Sequence, residues 1–310
     1  MKSSTRMIVL VFLVALLLFP LFMETYFSYV LCIIFIAVIN ATGLNLVTGY
    51  SGQTNLGQSG FVAIGAYATA LFMTRMGIGF WGALPAGGLI TAFVGLLIAI
   101  PALRMRGLYL ALVTFGFAAI TEMILIHWVS LTHGPDGIRV PSPEIGSFAF
   151  NSDLRMFYLI FAVTAFMVYM AKNIVNSRVG RAFISIRESE IAAQAMGVDI
   201  TRYKIMAFIL SAFYGGIAGG LWATLAMFIS PDAFGVVESI IALAMIAVGG
   251  MGSILGSIIG GALLSFLPEI LREAREFQEL LFGAILVISL IFLPNGIVGL
   301  HDKIRRGLAK

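Results

Sequence analysis

Apolar residues fill most of this chain in runs of 14 to 25, and polar positions collect in the gaps between them. The runs and their breakers predict helices near 7–23, 27–47, 56–74, 81–101, 107–128, 154–172, 204–228, 237–250, 255–268 and 278–294. A bilayer's hydrocarbon core needs about 20 apolar residues per helix, so the pattern is that of about ten membrane crossings. The runs 237–250 and 255–268 are short and separated only by residues 251–254, which fits either a tight helical hairpin or a broken re-entrant element. Lys2 and Arg6 precede the first run as they would in a signal peptide. Leu21-Phe22-Met23-Glu24 offers no small-residue cleavage site, however, so this run reads as an uncleaved span.

Composition agrees. Sixty per cent of the 310 residues are hydrophobic, 11% are charged and the mean hydropathy is +1.03, which excludes an ordinary soluble domain. The expected fold is all-α: one polytopic integral membrane helical bundle, a single transmembrane domain over 1–310 with broken helices. The net charge of +4 is no nucleic-acid signal, because the basic residues sit in short loops. Placing both termini in the cytoplasm puts 14 of the 19 Lys and Arg residues on that face and five outside, the asymmetry that orients membrane helices. The same choice makes 173–203 cytoplasmic and 129–153 the longest outer loop. Cys32, the only cysteine, lies in an apolar run and reads as a small buried hydrophobe.

The segment 173–203 is the one long polar stretch between spans. In it Ser189 is placed to cap a helix, Glu190 sits in the first turn where a carboxylate complements the helix dipole, and Gly197 is placed to stop the helix. Ala192, Ala193 and Ala195 keep this two-turn helix slim. Alone it is too short to be stable, so it reads as a docking surface for another protein, with a solvated loop as the alternative.

A second cluster carries polarity to membrane depth. Asn40, Asn45, Gln53, Asn55 and Gln58 are interleaved with Gly43, Gly49, Gly52, Gly57 and Gly60 between the second and third spans. Glycines weaken regular helix, and backbone groups freed there need partners. The amides Asn45, Gln53, Asn55 and Gln58 either line a translocation path or cap the breaks, and both readings stay open. Gly250 and Gly252 mark a comparable break further along, but the likeness is too thin to claim a repeat. Glu122, toward the outer end of the fifth span, reads as structural or interfacial, and Glu238 as an acidic residue at a helix N-terminus. The outer loop, with Gly134, Pro135, Asp136, Gly137, Pro141, Pro143, Glu144 and Asp153, is expected either to receive an external protein together with Glu269, Glu273, Glu276 and Glu279 or to be an ordinary connection.

No phosphate-binding G-x-x-x-x-G-K-[ST] loop, no histidine–carboxylate metal cluster and no nucleophile elbow occurs, so no catalytic residue, metal site or cofactor is assigned. Energy for transport must come from a partner.

Four stretches carry a family resemblance. The run Glu190 to Gly197 resembles the EAA coupling loop of ABC importer permeases. Its flanks Gly180-Arg181-Ala182, Ile186-Arg187 and Thr201-Arg202-Tyr203-Lys204 are similar to the branched-chain amino-acid permeases of the LivM type. So are Gly43 to Gln53 with Leu56-Gly57-Gln58, His133 to Ile138, and Gly249 to Ser253 with Leu267-Pro268-Glu269. The resemblance implies an inner-membrane permease of a bacterial or archaeal importer. Its partners would be two ATPase subunits, which bind the ATP, a second and different permease subunit, and an external substrate-binding protein. The cargo would be branched-chain or related hydrophobic amino acids; relatives carrying urea, short amides or sugars are the competing reading, and an ion-driven secondary transporter a more distant one. It also implies that Arg187, Glu190, Ala192, Ala193 and Gly197 lie at the ATPase, with Arg187 and Glu190 as polar contacts.

Overall fold

Between residues 25 and 271 every expected apolar run folds as a helix in the computed structural model, which describes residues 25–145, 148–150, 152–271, 283, 284, 287 and 296–299. In chain order these are α1 (Thr25–Asn45) with a π-helical continuation (Leu46–Tyr50), α2 (Gln58–Thr74), α3 (Phe80–Ala102), α4 (Leu108–His127) and a single turn, α5 (Val129–Thr132). They continue as α6 (Asp153–Asn176), α7 (Arg178–Glu188), α8 (Glu190–Ala195), α9 (Ile200–Ala226), α10 (Val236–Gly249) and α11 (Ile254–Ile270).

Among the described residues, six helical stretches are long and apolar enough to cross a membrane: α1 with its π-turn, α3, α4, α6, α9, and α10 with the 3₁₀ turn before it. α2 and α11, 17 residues each, are shorter and alternate with the others between the same two ends. Ten spans were expected. The span 7–23, nearly all of 278–294, and both chain termini with their expected side lie outside the described residues. α2 and α11 are short for one reason: each begins at a glycine break that takes the residues a longer helix would need. The short runs 237–250 and 255–268 form a tight hairpin. A Cβ on Gly249 would strike the Gly256 carbonyl and one on Gly260 the Met245 carbonyl, so the two backbones are in contact.

The described residues are predominantly helical, as expected, with a few short strands besides. Four two-residue strands occur, all in loops at one end: β1 (Ile138–Arg139) pairs antiparallel with β4 (Phe228–Ile229), and β2 (Glu144–Ile145) with β3 (Phe148–Ala149). The β1–β4 pair ties the long 129–153 connection to the loop after α9. Thr132 adds to this, donating to the carbonyls of Leu125 at 2.7 Å and Trp128 at 2.8 Å, and Arg75 donates to that of Ser130 at 2.8 Å.

α9 is the central post. Gly216 meets Gly65 of α2 backbone to backbone, Gly219 packs on the Val62 carbonyl, and Gly95 of α3 abuts Ala212. Lipid is as apolar as leucine, so helices in a bilayer gain by close approach through small residues rather than by burying apolar area from water. The sequence signal for this post, glycines four apart at 215/219 and 216/220, lies in a run read only as apolar. Leu89, Phe93 and Leu97 on α3, and Leu112, Ile120 and Met123 on α4, face outward, as lipid-contacting side chains do.

This packing predicts a contrast. Gly219→Ala places a methyl against the backbone of α2 and should cost about 2 kcal/mol, the usual scale of overpacking. Gly116→Ala, on a helical site with no neighbour within 4 Å, should be neutral or gain up to about 1 kcal/mol from helix propensity. Thermal unfolding of the purified protein in detergent reads both.

Candidate functional site at the basic end of the bundle

The loops between the helices fall at two ends. Arg104, Arg106, Lys172, Arg178, Arg181, Arg187, Arg202 and Lys204 lie at one, and Arg75, Arg139 and Arg155 at the other. The basic end holds the polar segment. Ser177 caps α7 by accepting from the Val179 N–H at 3.1 Å, and its own hydroxyl donates to the Ile174 carbonyl at 2.7 Å. Gly180 allows the sharp reversal, since a Cβ there would collide with Val175. α7 is strongly two-faced: Ala182, Phe183 and Ile186 are buried while Arg178, Arg181 and Glu188 point out.

α8 begins and ends as its residues dictate. Ser189 accepts from the Ala192 N–H at 3.3 Å. At the other end the Val198 N–H reaches the Ala193 carbonyl and the Gly197 N–H the Gln194 carbonyl, both at 3.0 Å, with Gly197 at φ +81°. That is the Schellman closure, in which the residue past the helix adopts the left-handed conformation glycine tolerates. Only Ala193 of this helix is buried; Ile191 and Met196 are 83% and 84% exposed, so two large apolar side chains stand out from a polar surface.

Arg187 and Glu190, the two expected polar contacts, are engaged inside the chain. Glu190 bridges Lys204 at 2.6 Å and Arg106 at 2.9 Å. Lys204 is the buried member, with 7% of its side chain exposed, so Glu190 is its counter-ion, while Arg106, 76% exposed, adds little. Arg187 donates through Nη1 to the Gly49 carbonyl at 2.8 Å and through Nη2 to Glu188 at 3.0 Å. No spacing in the sequence links Glu190 to a lysine 14 residues on and to an arginine 84 residues back. Folding alone brings them together.

Both helix breaks meet at this end. After α1 the chain passes through Leu46–Tyr50 and an irregular stretch to Gly57; after α10 it turns through residues 250–253. Asn45 joins them. Its Nδ2 donates to the Ser253 carbonyl at 2.8 Å and the Ser257 hydroxyl at 2.7 Å, and its Oδ1 accepts from the Gly252 N–H at 2.9 Å. A Cβ on Gly49 would overlap the Asn45 side chain, and a Cβ on Gly57 would come 2.7 Å from the Thr114 carbonyl. Gly250 and Gly252 hold positive φ values of 130° and 75°, and Gly296 packs its backbone against Gly250.

The remaining amides are also buried and bonded. Gln53 donates to Ser51 Oγ at 2.7 Å, and Asn55 accepts from the Gly57 N–H at 2.8 Å. Gln58 donates to Asn40 Oδ1 at 2.8 Å and accepts from the Ser211 hydroxyl at 3.0 Å. Asn45, Gln53, Asn55 and Gln58 are each 5% exposed or less. A cavity of about 300 Å³ opens beside them, between α1, α2, α9, α10 and α11. Its walls are apolar, with Ile33, Ile36, Trp222, Phe234, Ile241 and Met245, and its polar groups are Asn40, Ser59, Glu238 and Ser265. None of the four expected amides lines it; Gln58 stands one hydrogen bond behind, through Asn40. Glu238 sits in the first turn of α10, and Glu122 lies near the Gly235 cap of the same helix. Among the described residues no group of three or more His, Cys, Asp or Glu side chains is placed to hold a metal ion.

A polytopic bundle whose helices are interrupted in pairs, with a short exposed helix seated beside the interruptions, has the build of a membrane permease. The model of one family, described as branched-chain amino acid transport system / permease component, matches residues 26–290, and the chain belongs to that family. It is 34% identical to the high-affinity branched-chain amino acid transport system permease protein LivM of Salmonella typhimurium (strain LT2) and to that of Escherichia coli (strain K12). Each alignment takes in 89% of this chain and 71% of the relative. It is 27% identical to LivH of Escherichia coli (strain K12), over 84% of this chain and 90% of that one. Among solved structures, PsaBC from Streptococcus pneumoniae in complex with Fab aligns with 89% of this chain and 95% of that chain, at TM-score 0.47 and 14% identity.

The ion cluster carries a prediction. Glu190→Gln leaves the Lys204 ammonium buried without a counter-ion and should lower stability by about 3 kcal/mol. Glu190→Gln with Lys204→Met should recover most of that loss, which thermal unfolding of the four-member cycle measures.

Proposed function

We propose that this chain is the membrane-spanning subunit of a binding-protein-dependent ABC importer for branched-chain amino acids, and that α8 is the helix on which an ATPase subunit pushes. The family match over residues 26–290 carries this reading. The charge asymmetry supports it, because a basic end at the cytoplasmic face is the orientation that membrane insertion favours. In that orientation α7 and α8 lie where ATP is available, and the outer loop 129–153 lies where a substrate-binding protein would deliver its cargo.

α8 has the features of a docking element. Ala192 and Gly197 are exposed and slim, and Ile191 and Met196 are apolar knobs with no partner side chain of their own size. Glu190 and Ala193 face the bundle and fix the seat of the helix, so contact with the ATPase falls mainly to the exposed apolar pair. The cavity supports the cargo assignment: an apolar wall accommodates a branched aliphatic side chain, while Asn40, Ser59, Ser265 and Glu238 offer acceptors and donors to an ammonium and a carboxylate. In this mechanism the buried amides maintain the helix breaks and Asn40 carries their polarity to the cargo. Two ATPase subunits closing on ATP draw the coupling helices of this chain and of a second, different permease together. α6 and α9, which flank the polar segment, then tilt and switch access between the two faces of the membrane.

The test is uptake by proteoliposomes containing both permeases, both ATPases and the binding protein. ATP-dependent leucine uptake is expected, with valine and isoleucine competing and urea and ribose inert; competition by urea or ribose instead would reassign the cargo. Ile191→Glu with Met196→Glu should leave the chain in the membrane yet cut ATPase co-purification and uptake by about tenfold or more, since such apolar anchors each contribute on the order of 1–2 kcal/mol at an interface.

A further inference from the structure

Arg187 stands near the end of α7, two residues before the serine that caps α8, and it is the point at which the polar segment touches both helix breaks. Its Nη1 donates to the Gly49 carbonyl at 2.8 Å. Its stem lies across Gly52, where an added Cβ would come within 2.9 Å of Cγ and 3.3 Å of Cα. On the opposite side a Cβ on Gly252 would sit 2.5 Å from Nη1. Gly52 and Gly252 hold φ values of +74° and +75°, and both lie against the same Arg187 side chain, Gly52 at its stem and Gly252 at its guanidinium.

We propose that Arg187 is a positioning residue that tethers the coupling segment to the paired breaks, so that displacement of α8 is transmitted to residues 46–57 and 250–253. This rests on the importer reading above. Gly49 is the penultimate residue of the π-helical turn, and a cationic donor on a carbonyl near a helix C-terminus is favoured both by the helix dipole and by the charge on the donor. Asn45 already locks the two breaks to one another, so pulling on either moves both. The second anchor of the segment, Glu190 to Lys204, leads elsewhere, into α9, which the glycine contacts hold against α2 and α3. One link therefore seats the segment on α9, and the other reaches the paired breaks.

Two measurements test the tether. In proteoliposomes of the full complex, leucine uptake and ATP hydrolysis are recorded together and expressed as a ratio. Arg187→Ala should lower uptake per ATP hydrolysed by about tenfold or more, the scale of a coupling free energy between sites. Arg187→Lys, which keeps a cationic donor for Gly49, should recover most of it, and Gly252→Ala, which puts a methyl where the guanidinium lies, should behave as Arg187→Ala does. If Arg187→Ala lowers uptake and hydrolysis in proportion, leaving the ratio unchanged, Arg187 serves the ATPase interface and the tether is wrong. The second measurement does not depend on the cargo. With Cys32→Ala as background, spin labels at the exposed positions Gln194→Cys and Met251→Cys report the distance between coupling segment and breaks, with and without ATP. The tether requires that distance to stay constant between the two states in the parent and to change in Arg187→Ala. A distance that changes equally in both overturns it, whether or not leucine is the cargo.

Discussion

Where a helix stops, the backbone groups it releases need new partners, and this structure meets that need twice at the same place. Asn45 spends both amide hydrogens and its oxygen on the turn after α10, and the guanidinium of Arg187 takes the carbonyl of Gly49. A buried polar group left without a partner costs about 1–3 kcal/mol, so each break is stabilised by the chain segment beside it. The glycines follow from that arrangement. At Gly49 the side chain of Asn45 occupies the space a Cβ would need, and at Gly52 and Gly252 Arg187 does.

The same logic sorts the rest of the basic end. Lys204 is buried, so it requires a carboxylate, and Glu190 supplies one from the first turn of α8. The residue that best complements the dipole of that short helix thus also fastens it to α9. A two-turn helix that could not persist alone is held by its serine cap, its Schellman closure and this ion pair. Its exposed surface is left to Ile191 and Met196.

The buried amides and the cavity divide the polar work. Asn45, Gln53, Asn55 and Gln58 are occupied with backbone groups, with neighbouring serine and asparagine side chains and with each other. Asn40, reached from Gln58 by one hydrogen bond, is where that network meets the cavity. An apolar chamber with a few acceptors and donors suits a cargo that is zwitterionic at one end and aliphatic at the other.

Much of this was legible in the order of residues. The helices between 25 and 271, the serine cap and glycine stop of α8, and the glycine breaks all follow from local rules: apolar run length, capping chemistry and backbone freedom act within a few residues of their cause. The β1–β4 pairing, the glycine contacts of α9 with α2 and α3, the Glu190–Lys204–Arg106 cluster and the seat of Arg187 between two loops were decided by tertiary structure alone. Each joins residues far apart in the chain, and a partner's identity leaves no mark on the local pattern of either residue. Which amides would cap and which would face a cavity belongs to that second kind, because composition places polar atoms at a depth in the membrane, while only the packing of five helices determines which of them look into open space.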